Sequence, residues 1–158
     1  MPKRKTSKIT LIVTACILSV IALAFWDLVF PHKYEPSHVD AANFRTMTSV
    51  RVPPEAHDFR LATFHHFQQT LEYGRFEAPP DVCLKYAANF VVSGTKLVPV
   101  DEVELTSDAR PIRRDAFRDF SWFDLANAKN VVGGGGGPMT PKVWVDQIRG
   151  VFYYRLTD

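Results

Sequence analysis

From Ile9 to Phe30 apolar residues run almost without interruption, and beyond Pro31 the chain changes to shorter stretches of alternating and helical period. A bilayer's hydrocarbon core is about 30 Å thick, and roughly 20 helical residues at 1.5 Å each can cross it, so residues 9–30 predict an N-terminal transmembrane helix. Phe44, Thr46, Thr48, Val50 and Val52 alternate with polar or basic residues, which predicts a half-buried strand ended by Pro53 and Pro54. Arg60 to Phe67 and Thr70 to Ala78 are two further β-rich stretches, either a hairpin or one bent strand.

The clearest helix follows Pro79 and Pro80. Asp81 complements its amino-terminal dipole, Cys83, Tyr86, Ala87, Phe90 and Val91 recur at helical spacing, and Gly94 suits the position after its last turn. Leu97 to Asp108 is acidic and irregular, with one strand expected around Val100 to Leu105. Ile112, Ala116, Phe120 and Phe123 suggest a short helix, and the arginines and aspartates interleaved with them read as a solvated face. Val143 to Asp146 and Val151 to Leu156 predict a hairpin, with Gly150 where a left-handed residue is needed and the second strand buried in the sheet. The expected fold class is α+β: an N-terminal transmembrane helix followed by a small antiparallel sheet packed on one main helix.

This pattern divides the chain into a basic tail over residues 1–8, the apolar segment 9–30, a tether over 31–42 and a folded domain over 43–158. Lys3, Arg4, Lys5 and Lys8 precede the apolar run. The positive-inside rule then keeps the amino terminus in the cytoplasm, making a single-pass protein of the inner membrane with a periplasmic or extracellular domain. The run could instead be a signal segment cleaved after Ala24, or Cys16 could be acylated as in a bacterial lipoprotein. From Pro31 onward 15 Lys and Arg face 16 Asp and Glu, so the domain lacks the clustered cationic field that a nucleic-acid partner needs. With Cys16 in the apolar run and Cys83 alone in the domain, stability must come from packing, not from disulfides.

Candidate chemistry is sparse. The run Gly133 to Gly137 invites a phosphate-binding reading, but Pro138 removes a donor and Pro141 blocks a following helix, which leaves a glycine-rich connector. His57, His65 and His66, with Asp58 nearby, are the only residues clustered enough for a metal. Neighbours on a strand point to opposite faces, so His65 and His66 cannot share one ion, and no metal-ligand spacing supports them. Cys83 falls on the apolar helix face, where a buried thiol is ordinary. No catalytic residue and no cofactor are indicated.

Trp122, Phe123, Trp144, Tyr153, Tyr154 and Arg155 combine aromatic rings with a guanidinium, a composition shared by sheet cores and by binding anchors. They are the candidate partner-binding residues. Trp122-Phe123-Asp124, Val143 to Asp146, Arg149-Gly150, Tyr153 to Arg155 and Arg75 to Pro79 together resemble uncharacterised single-pass bacterial proteins with a small exported domain. That resemblance implies an architecture and no catalytic residue. Anchor, tether and missing catalytic constellation point to a non-enzymatic interaction domain, an accessory or scaffold subunit partnered by the membrane and by membrane or envelope proteins. The alternatives are an exported binder of a small molecule or envelope polymer, which requires a concave pocket, and a small metal-dependent enzyme using the histidines.

Overall fold

The computed structural model describes residues 8–29, 32–36, 38–48, 51–66, 69–90, 96–102, 104–105, 121–137 and 140–157. Seven strands, β1 His32–Tyr34, β2 His57–His66, β3 Gln69–Glu77, β4 Val98–Pro99, β5 Val131–Gly137, β6 Thr140–Asp146 and β7 Val151–Thr157, form one sheet. Their spatial order is β1-β2-β3-β7-β6-β5-β4, and every neighbouring pair is antiparallel. Two three-stranded meanders thus lie side by side with β7 between them. Among the described residues, α-helices α1 Lys8–Val29, α2 Ala41–Thr48 and α3 Pro80–Phe90 and a 3-10 turn at Leu125–Asn127 accompany the sheet.

Position explains the composition of β7. Flanked by β3 and β6, it is buried on both faces, and Val151, Phe152, Tyr153 and Tyr154 are all nearly inaccessible. A strand covered on both sides reads as a continuous apolar run instead of an alternating one. Phe152 and Tyr154 point to the side covered by α2 and α3, together with Phe76, Val143 and Val145. Val151 and Tyr153 point to the other side with Tyr73 and Trp144, beneath Leu105, Phe123 and Leu125.

The expected fold class is corrected on two counts. First, the sheet has seven strands and is covered by α2 as well as α3. Second, the transmembrane helix is not supported: among the described residues no helix is long and apolar enough to cross a membrane. Helix α1 does form, over Lys8–Val29. Residues 1–7 of the basic tail lie outside the described residues.

Other expectations fare unevenly. The hairpin β2–β3 forms, as do α3 and the hairpin β6–β7 with Gly150 at φ +68°. A side chain on Gly150 would collide with the Ala78 carbonyl, whereas glycine lets its own carbonyl accept from the Ala78 N–H at 2.9 Å. The strand expected from Phe44 is instead helix α2. Asp40 caps it by accepting from the Asn43 N–H at 2.8 Å, and among its described side chains only Phe44 becomes fully buried. Thr46 and Thr48 fit because their hydroxyls donate to the carbonyls four residues back, at 2.9 and 2.7 Å.

The tether expected over 31–42 contains strand β1, an edge strand whose Lys33 and Glu35 pair at 2.8 Å. The strand expected near Val100 is shifted to Val98–Pro99, and Asp101 then caps a helical turn by accepting from the Glu104 N–H at 2.7 Å. The glycine connector is strand β5. A side chain on Gly133 would come within 3.0 Å of the Val143 carbonyl and 2.9 Å of Val100, so glycine permits close approach on both sides. Of the helix expected on Ile112, Ala116, Phe120 and Phe123, residues 112–120 lie outside the described residues, as does Gly94, and Phe123 is not helical.

Candidate functional site

Four of the six candidate partner-binding residues are corrected to core positions. Trp144 and Tyr153 are 0% exposed, Tyr154 1% and Phe123 7%, which leaves no face for a partner. Phe123 sits edge-on to Tyr73 at 5.1 Å, Tyr153 at 5.4 Å and Trp144 at 6.2 Å, closing the sheet on the side away from the helices. Trp122 and Arg155 are half-buried. The Arg155 guanidinium lies 5.7 Å from the Trp144 ring centroid and Lys142 Nζ lies 5.5 Å from it, so both cations stack on a core indole.

A charged cluster that sequence reading missed fastens this side. The Asp146 carboxylate is fully buried at the end of β6. It accepts from the backbone N–H groups of Lys129, Ile148 and Arg149 at 3.1, 3.0 and 2.9 Å and from Arg149 Nε at 2.6 Å. Burial alone would raise its pKa, but the Arg149 and Lys129 donors outweigh burial and hold the carboxyl below its ordinary value. Arg149 then reaches the segment 121–128, donating to the Asp124 carbonyl at 3.3 Å and pairing with the Asp124 carboxylate at 3.4 Å. It also donates to the Tyr153 hydroxyl at 3.3 Å.

Arg75 acts in parallel. It donates to the Trp122 carbonyl at 3.1 Å, pairs with Asp58 at 2.8 Å and contacts Glu77. Asp58 has a left-handed backbone, φ +46°, at the point where the β2–β3 register shifts. Two arginines therefore strap residues 122–124 across the sheet, and their charges are spent on carboxylates of the same chain. The arrangement is a structural clamp.

Among the described residues, the buried thiol and phenols are held in their protonated forms. Cys83 is fully buried, donates to the Ala78 carbonyl at 3.5 Å, and burial pushes its thiol up to about 12, with Asp81 and Glu77 adding to the rise. Burial likewise pushes the Tyr153 and Tyr86 hydroxyls up to about 12. His57 and His65 are exposed and eight residues apart on one strand, roughly 27 Å at 3.4 Å per residue. They cannot share an ion. Among the described residues no group of three or more His, Cys, Asp or Glu is placed to hold a metal. The side chain of His66 lies outside the described residues.

Two surfaces remain. Along α1, Ile12, Val13, Ile17, Leu18, Val20, Ile21, Leu23 and Phe25 are exposed, and these are eight of the eleven large apolar side chains exposed among the described residues. Between α3 and residues 51–55 a cleft of about 420 Å³ opens, which no sequence motif signalled. No family model, curated protein or solved structure matches this chain.

Proposed function

We propose that this protein is a non-enzymatic interaction domain, an accessory or scaffold subunit that docks through α1 onto the apolar helices of a larger membrane protein assembly. The exposed apolar side chains around α1 support the reading. Leaving one such side chain in water instead of burying it forgoes roughly 1.5–3 kcal/mol, and a contiguous exposed apolar surface of this kind marks an interaction site. The remaining apolar residues of the domain are mostly used within its own two-sided core. Among the described residues, most of the exposed large apolar side chains lie on α1.

Mild crosslinking of the full chain in detergent extracts tests this. A discrete species larger than the monomer is expected, lost when Ile17→Lys and Ile21→Lys are combined on α1. An isolated monomer after crosslinking would overturn the reading, as would an assembly indifferent to those substitutions.

A further inference from the structure

The cleft between α3 and residues 51–55 brings charges of both signs to an apolar wall. Arg51 and Lys85 supply two cations and Glu55 and Asp81 two carboxylates. All four are exposed, and none forms an ion pair among the described residues. Asp81 and Lys85 stand one helical turn apart on α3, a spacing at which such residues can bond to each other, yet they stay separate. Their charges are left for something else.

The apolar part of the cleft is rigid. Pro53 and Pro54 have fixed φ, and the turn they make is closed by the Ala56 N–H donating to the Pro53 carbonyl at 3.2 Å. Tyr86, on the opposite wall, is locked edge-on against Phe152 at 4.9 Å and Phe76 at 5.1 Å. A wall that is already ordered loses little entropy when a ligand arrives.

We infer that this cleft binds a short peptide with free termini, its ammonium group facing Asp81 and Glu55, its carboxylate facing Arg51 and Lys85, and a side chain resting on Pro53 and Tyr86. Equal numbers of both charges disfavour a purely anionic or cationic ligand, because either would meet two like charges in the site. The volume falls within the range of small-ligand clefts, about 300–1,000 Å³. This inference does not depend on how α1 docks.

Titration of the full chain in mild detergent with trialanine, followed by amide NMR shifts of Lys85 and Asn89, is the test. Saturable binding is expected, weakened about fivefold by acetylating the peptide's amino end and about fivefold by amidating its carboxyl end, as loss of one exposed ionic contact predicts. Asp81→Asn should reduce the penalty for acetylation and Lys85→Gln the penalty for amidation, with unchanged melting curves. Blocked peptides binding as well as the free one would overturn the inference, and so would the absence of any shift at millimolar peptide.

Discussion

The two sides of the sheet are closed by different physics. On the helix side, Phe76 stacks on Phe152 at 4.9 Å and Phe44 meets Tyr154 edge-on at 5.8 Å, and rings from α2, α3 and the strands fill the space with apolar surface. On the opposite side an irregular segment lies over Tyr73, Trp144 and Tyr153, and its edge is fastened by Arg75 and Arg149. Apolar burial is non-directional and insensitive to salt, whereas ion pairs depend on geometry, pH and ionic strength. A helix with one apolar stripe can cover a sheet by burial alone. The irregular strap buries Phe123, Leu125 and Ala128 and adds directional anchors to that burial.

The largest expected effect is therefore on the helix side. Phe152→Ala should cost about 4 kcal/mol of unfolding free energy in urea denaturation, because the ring touches Phe76, Tyr86 and Phe90 and the cavity cannot collapse around it. The loss should be the same at low and high salt. A cost below about 1 kcal/mol would place the burden of stability elsewhere.

Asp146→Asn should cost less, about 2 kcal/mol, since it weakens charge-assisted hydrogen bonds without opening a cavity. Its effect carries a pH signature. The carboxyl's pKa is lower in the folded state than its ordinary 3.8, so its contribution is complete above that value and disappears as pH falls through the folded-state pKa. Denaturation midpoints of the parent protein should fall on acidification below pH 3.8, and the Asn variant should lack that part of the decline. Parallel curves for the two proteins would remove Asp146 from the clamp.

The smallest effect concerns reactivity. Cys16 is exposed on α1 and Cys83 is buried against the sheet with its thiol pushed up to about 12. A thiol reagent at pH 8 should modify one cysteine in the native protein and both after denaturation, counted by mass. Rapid native modification of Cys83 would show that the helix side opens easily.

What the sequence disclosed follows the strength of its local signals. Helix α3 was legible because a proline start, Asp81 and the Cys83–Tyr86–Ala87 spacing agree. The hairpin β6–β7 was legible because an apolar run, a glycine and a second apolar run admit few other arrangements. Alternation misled at Phe44, where Asp40 caps a helix and threonine hydroxyls bond back to the helix carbonyls. Glycines misled at β5, since a run without side chains reads as a loop unless Val100 and the Val143 carbonyl are known to crowd it. The clamp was hidden for another reason: Arg75 and Trp122 are 47 residues apart, and nothing local joins them.

The place of β7 has a consequence for synthesis. In chain order β1 to β3 and then β4 to β6 come first, and the strand that must lie between them is made after both. Until Val151–Thr157 appears, Phe76 and Val145 border an empty slot, so each set of strands exposes an unpaired edge and a greasy flank. Assembly then resembles a zip fastener closed from its middle: one late insertion satisfies two edges at once.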